Sequence, residues 1–307
     1  MINLFNIPHY HIDTSTFNHF LHGDIVEEFE SNFRDYVGAK YSCSFNSATS
    51  AIFLAMLNKN VKVNVPSMIP PVVCNALLNS GNTINFIDDI DWVGDSYVLH
   101  EFKNYKIIDS AQKVEYQQFA KEANDEDLMV FSFYPTKPIS SCDGGIIVSN
   151  DKDKINWFKE AVMNGMSYSP NNWERKIKFA GFKMYMNSIQ CYVANENLKK
   201  LNHKKQKLKE VRESYNKNLN YNNSSEHLYR ININNRDNFI SAMKDKGIIC
   251  GIHYQTLHDS NVYGNKNFKC PISNKESQTT VSIPYHENLS ALEVEYIIDQ
   301  IKNYTNA

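Results

Sequence analysis

Along residues 24–37, Ile25, Phe29, Phe33 and Val37 recur every fourth position with polar residues between them, the spacing of a helix that buries one face. The stretch "GAKYSCSFNSATSAIFLAML" then passes from a glycine turn through a short strand into a helix that opens on small polar residues. "VKVNVP" is a β-branched run closed by proline, "PPVVCNALLNSG" a helix with proline near its start and glycine at its end, and "TINFID" another strand. "YKIIDSAQ" predicts an apolar strand ending in Asp109, and "LMVFSFYPTK" and "GGIIVSN" predict two more. This alternation predicts an α/β fold with a mainly parallel sheet flanked by helices, and α/β proteins place their chemistry at strand ends.

After Asn150 the pattern changes. "DKDKINWFKEAV" reads as a helix, and Leu198, Leu201, Leu208, Val211 and Tyr215 mark one long helix that looks like a spine between two lobes. "LYRINI", "RDNFISAMKDKG", the strand-like "IICGIHY" and "SALEVEYIIDQIKNY" predict a smaller C-terminal α+β lobe. The expected division is a large domain over residues 1–195, including the N-terminal helix, and a linking helix with a small domain over residues 196–307.

A chain of 307 residues that is 42% hydrophobic can bury a large core. Its 32 basic and 34 acidic residues nearly cancel, so no whole-molecule field points to nucleic acid or a membrane surface. The N-terminal stretch lacks the basic and apolar regions of a leader, and no later run has the length of a membrane span, which leads to the expectation of a cytoplasmic protein. Six scattered cysteines form no CxxC pair, so reduced thiols are expected. The lysines of "KKLNHKKQKLK" surround an apolar stripe and read as a solvated helix face. His9 and His11 are spaced H-x-H but lack a further ligand set, and no metal is assigned.

Three features follow in order: a small polar loop opening a helix at residues 46–51, a strand-end aspartate at Asp109, and Lys137 just after a serine-bearing strand. Taken singly, each has a bland reading as a cap, a turn and a surface lysine. Together they suit pyridoxal phosphate. The first N–H groups of a helix hold a phosphate, with Ala48 and Thr49 as donors and Thr49 or Ser132 as hydroxyls. An aspartate beside the ring nitrogen keeps it protonated, so that the ring can draw electrons from the substrate. A lysine bonds the aldehyde as a Schiff base and afterwards moves a proton, provided its surroundings lower its pKa.

These residues resemble the DegT/StrS family of fold-type-I pyridoxal-phosphate enzymes over almost the whole chain. "HGDIVEEFESNFRDYVGAKYSCSFNSATSAIFLAML" resembles the family's opening segment and its S-G-T-x-A phosphate loop, here Ser47, Ala48 and Thr49. "IDSAQ" is similar to its D-x-A-Q, which implies Asp109 against the ring nitrogen, Ala111 beneath the ring and Gln112 on the phenolic oxygen. "FSFYPTK" followed by "DGG" resembles its Schiff-base segment, with Ser132 on the phosphate and Lys137 on the aldehyde. "GFKMYMNSIQ" is similar to the segment that enters the neighbouring subunit's site, which implies a homodimer and Lys183 near the phosphate. "GIHYQTLH" and "SIPYHENLS" look like the small-domain elements beside the substrate, so His253, Tyr254 and His258, with Tyr134, are the substrate-side candidates.

The chain departs from the family pattern in several places. Ala48 stands for glycine, Pro70 for the aromatic residue that stacks on the ring, Asp143 for glutamate and Tyr185 for arginine or asparagine. The segment from Asp88 to Asp109 is short for the strand and helices normally found there. The resemblance implies an aminotransferase that converts a keto group of a nucleotide-linked deoxysugar to an amine, with glutamate as donor. The departures motivate an alternative, a cofactor-binding regulatory or scaffold protein of the same fold. A related dehydratase is a third reading, against which Lys137 argues, because that chemistry replaces the lysine with histidine.

Overall fold

The computed structural model describes residues 1–6, 9–169, 172–263 and 268–306. A first helix α1 (Asp24–Val37) has the bounds its periodicity predicts, buries Phe29, Phe33 and Val37, and ends on left-handed Gly38. There follow β1 (Tyr41–Phe45), α2 (Ala48–Ala55), β2 (Lys62–Pro66), α3 (Pro71–Asn79), β3 (Thr83–Ile87), β4 (Tyr97–Glu101), β5 (Lys106–Asp109), α4 (Gln118–Glu122), β6 (Leu128–Ser132), β7 (Gly145–Ser149) and α5 (Lys152–Val162). A hairpin of β8 (Met166–Ser169) and β9 (Asn172–Ile177) leads to the long helix α6 (Ser188–Leu219). The C-terminal part comprises β10 (Tyr229–Asn232), α7 (Arg236–Asp245), α8 (Pro271–Thr279), β11 (Thr280–Ile283) and α9 (Ala291–Thr305). The "IICGIHY" stretch, expected as a strand, makes only isolated bridges, Ile248 to Ile2 and Gly251 to Ser282.

The central sheet has the order β1-β7-β6-β5-β4, and β2 and β3 form a separate parallel pair. Strands β1, β5 and β6 run one way, while β7 and β4 run against them, so β5–β6 is the one parallel ladder of this sheet. The β4 reversal follows from the short segment. Only four residues separate β4 from β5, and Phe102 N–H donates to Tyr105 O at 2.8 Å, so the chain turns back as a hairpin where a parallel neighbour would need a crossover.

Alternate residues of the buried strands serve two cores. Ile107, Leu128, Val130 and Ile147 face the side covered by α2, α3 and α5, while Ile108, Met129, Phe131, Ile146 and Val148 face α1 and the first half of α6. β6 and β7 are buried along their whole length, as strands covered on both faces are. Helix α6 begins with an Asn187–Gln190 capping box and spans 32 residues, about 48 Å at 1.5 Å per residue. Leu198 and Leu201 sit in the core against the sheet, whereas Leu208, Val211 and Tyr215 join β10, β11, α7 and α9 in a third core.

The double glycine opens β7 for steric reasons. Gly145 pairs with Ser132 across the β6–β7 ladder, and a Cβ on it would lie 2.5 Å from the Ala48 nitrogen and 2.6 Å from its Cα. Only glycine lets the start of α2 sit down on the strand there. Gly145→Ala is therefore expected to lower stability by about 1–3 kcal/mol, the usual cost of overpacking, because the clashing atoms are backbone and cannot rotate away. Urea denaturation measures this, and an unchanged midpoint would mean that α2 is not seated against β7.

Candidate active site

The C-terminal ends of β5 and β6 lie side by side, and the predicted residues gather there. Asp109 closes β5 and is buried; its Oδ1 accepts from Ala111 N–H at 2.9 Å and its Oδ2 from the Tyr97 hydroxyl at 2.9 Å. Burial pushes its carboxyl above the ordinary range, and these two hydrogen bonds and the charge of Lys137 oppose that shift. Lys137 sits in the turn after β6, closed by its own N–H donating to Tyr134 O at 2.9 Å. Burial pushes its amine down to about 8 against the pull of Asp109. The two groups of opposite sign thus restrain each other in a poorly solvated place.

A second corner is built from α2, β6 and β7. Ser47 caps α2, its hydroxyl accepting from Ser50 N–H at 3.1 Å, so the backbone N–H groups of Ala48 and Thr49 open the helix. Ser132, at the end of β6, pairs with Gly145, against which Ala48 packs. The donor set suits pyridoxal phosphate: helix-start N–H groups and a hydroxyl for the phosphate, a carboxylate for the ring nitrogen and an amine for the aldehyde. The glycine cradle lets the phosphate corner close without a Cβ in the way.

Gln112, expected on the phenolic oxygen, has both ends of its amide engaged: Oε1 accepts from Gly94 N–H at 2.8 Å and Nε2 donates to the Tyr254 hydroxyl at 3.0 Å. Tyr254 in turn stacks on Trp92, with ring centroids 5.9 Å apart and planes 11° from parallel. Pro70 precedes α3 as its N-cap. His253 pairs through Nδ1 with the Ser282 hydroxyl at 2.9 Å, and burial, with the nearby charges of Lys137 and Arg230, pushes it down to about 4. His258 is buried against Ser67, Nδ1 to Oγ 2.5 Å, and so serves the loop after β2. Tyr134 is exposed at 54% and is free to meet a ligand or a second chain. Lys183 lines a cleft of about 330 Å³ with His19, His22, Arg175 and Tyr185, while Met184 O beside it accepts from Asn46 N–H at 2.7 Å.

Several residues at the site carry no local sequence signal. Tyr97 reaches Asp109 only because of strand register. His227 is buried near Lys137, and burial followed by the Lys137 charge holds it well below the usual histidine range. Lys204, in the lysine-rich stretch that reads as solvated, turns inward instead: it donates to Lys137 O at 3.4 Å and lies 3.8 Å from Glu287. With Phe5 and His227 these lysines line a small cavity of about 20 Å³. That is room for about one water.

The chain matches the model of the DegT/DnrJ/EryC1/StrS aminotransferase family over residues 10–101 and 105–302. It is 25% identical, over 91% of its own length and 89% of the relative's, to a UDP-4-amino-4,6-dideoxy-N-acetyl-beta-L-altrosamine transaminase of Campylobacter jejuni (strain 81-176). To the spore coat polysaccharide biosynthesis protein SpsC of Bacillus subtilis it is 23% identical, over 92% and 90% of the two chains. Among solved structures, the aminotransferase TlmJ from Streptoalloteichus hindustanus superposes with a TM-score of 0.84 at 19% identity, covering 99% and 98% of the chains. Helicobacter pylori PseC, an aminotransferase involved in the biosynthesis of pseudoaminic acid, gives 0.79 at 21% identity over 97% and 98%. The fold is thus the fold-type-I one expected, and the chain belongs to the DegT/DnrJ/EryC1/StrS family of pyridoxal-phosphate-dependent aminotransferases.

Proposed function

We propose that this enzyme moves an amino group from glutamate to a keto group of a nucleotide-linked deoxysugar in surface polysaccharide or glycoside biosynthesis. The observation that carries the reading is the meeting of Lys137 and Asp109 at adjacent strand ends, next to the phosphate corner formed by α2. Names of relatives, transaminases of UDP-linked aminodideoxy sugars, support the substrate class.

Bound in this site, the cofactor supplies an electron sink for the carbon that loses its proton. The protein's own residues do the rest. The Lys137 amine takes the proton from the substrate carbon and returns it. With a pKa of about 8, roughly a tenth of it is neutral at pH 7, against about one part in several thousand for an ordinary lysine. Asp109 would hold negative charge for the ring nitrogen, and Ala111 would pack against the ring. The N–H groups of Ala48 and Thr49, the hydroxyl of Ser47 and that of Ser132 would hold the phosphate. Gln112 orients Tyr254, and Tyr254, His253 and Tyr134 form the substrate side. The hydrogen bond of His258 to Ser67 supports a place for it in the frame around that side.

The reading includes a homodimer in which the segment around Lys183 approaches the phosphate of the second subunit. It also includes a division into a large domain and a small one along α6. Among the described residues no helix is long and apolar enough to cross a membrane.

Protein purified with pyridoxal phosphate is expected to have a visible absorbance band that Lys137→Ala lacks and that glutamate converts to a shorter-wavelength form. A wild-type band that ignores glutamate would sink the aminotransfer reading. In the apoprotein, amine labelling of Lys137 should titrate with a midpoint near pH 8. The Asp109 carboxylate favours the charged amine, so Asp109→Asn should move the midpoint lower; an unmoved midpoint would show that the two groups do not interact.

A further inference from the structure

The β4–β5 hairpin brings to the site a residue that the β/α pattern does not announce. Tyr97, the first residue of β4, stands in register opposite Asp109, the last of β5, and its hydroxyl donates to Oδ2 at 2.9 Å. Ala111 N–H binds the other oxygen at 2.9 Å. Each carboxylate oxygen offers two lone-pair directions, so both bonds leave a place for a further donor while together fixing the carboxylate's plane.

The tyrosine is itself held. Its ring meets Trp92 edge-on, centroids 5.2 Å apart, and Trp92, only 6% exposed, stacks on Tyr254. Trp92 Nε1 is buried without a hydrogen-bond partner among the described residues, so packing rather than a side-chain hydrogen bond orients its ring. Gly94, two residues further on, is tied to Gln112. β4 and the loop before it are therefore fastened to the D-x-A-Q segment, at Asp109 through Tyr97 and at Gln112 through Gly94. The other titratable groups facing the carboxylate are Lys137, from the turn after β6, and Tyr254.

We propose that Tyr97 is a positioning residue for the reaction: its hydroxyl fixes the Asp109 carboxylate in the orientation that meets the cofactor's ring nitrogen. The inference rests on the reading of Asp109 given above. A hydroxyl bonded to a buried carboxylate also favours its charged form, the one that a protonated ring nitrogen requires. The chain's short segment makes this arrangement possible, because an antiparallel partner of β5 presents its first residue beside the last residue of β5.

Tyr97→Phe keeps the ring and removes the hydroxyl. The test measures pyridoxal phosphate binding to the apoprotein, together with kcat and KM of the loaded enzyme, in wild type, Tyr97→Phe, Asp109→Asn and the double variant. Loss of one hydrogen bond to a charged group should weaken cofactor binding about tenfold and lower kcat about tenfold, with the sugar's KM within about twofold. In the Asp109→Asn background the same change should have an effect of less than about twofold, since no carboxylate remains to be placed. Val98→Thr, at an exposed position of the same strand, should behave as wild type. If Asp109→Asn binds too weakly for the cycle, the visible band of loaded Tyr97→Phe decides: a shifted maximum or pH midpoint supports the proposal, and an identical spectrum overturns it. Wild-type behaviour of Tyr97→Phe, or an equal loss in both backgrounds, also overturns it, the latter marking the hydroxyl as a structural prop. Failure of the wild type to bind cofactor would instead sink the parent reading of the site, and this inference with it.

Discussion

The electrostatic interaction between the buried Lys137 amine and the buried Asp109 carboxylate is the constraint around which the central sheet is arranged. Each group would be costly to bury alone, and burial pushes each toward its neutral form, the amine downward and the carboxyl upward. Held near each other, each favours the charged form of the other, which limits the shift that burial imposes on both. That proximity needs β5 and β6 to be parallel neighbours, so that Asp109 and Ser132 end at the same edge and the turn carrying Lys137 starts there. A parallel neighbour needs a crossover, and α4 lies in it.

The antiparallel members of the sheet serve the same edge. β7 runs against β6, so its first residue, Gly145, lies opposite the last residue of β6. A glycine at the start of β7 is thereby the floor beneath the first turn of α2, and the helix's free N–H groups come to the end of β6 rather than to its middle. β4 runs against β5, and its first residue comes to lie beside Asp109. Strand direction decides which side chains reach the site, and both reversals bring a useful residue to it.

Much of this is legible in the sequence wherever one short stretch carries the information. The periodicity of α1 gives its bounds, "NSATSA" gives a capped helix start, and "IDSAQ" and "FSFYPTK" give the aspartate and the lysine at strand ends. The features that resist reading depend on pairing between distant stretches. Nothing local in "DSYVLHEF" says that Tyr97 will face Asp109, because a one-residue slip in register would turn it to the other face. Lys204 shares its helix with lysines that point to water, and only the path of the turn after β6 gives it a carbonyl to bind. His258 closes a segment that resembles substrate-side elements, yet its ring pairs with Ser67 in the loop after β2.

The first residues of the chain complete the environment of the lysine. Ile2 N–H donates to Gly247 O at 2.7 Å, and Ile249 N–H donates to Ile2 O at 2.9 Å, which lays the N-terminal segment on the smaller lobe. Phe5 then reaches two histidines near Lys137, stacking on His227 with centroids 5.8 Å apart and meeting His253 edge-on at 5.7 Å. Both histidines are held neutral there by burial, so they add bulk and low polarity without adding charge. Desolvation is what lowers the Lys137 pKa, and the small cavity beside it is lined by residues far from it in sequence, Phe5, Lys204 and His227 among them. The low pKa of the Lys137 amine is thus a property of how the N-terminal segment, the long helix and the C-terminal elements close over the turn after β6.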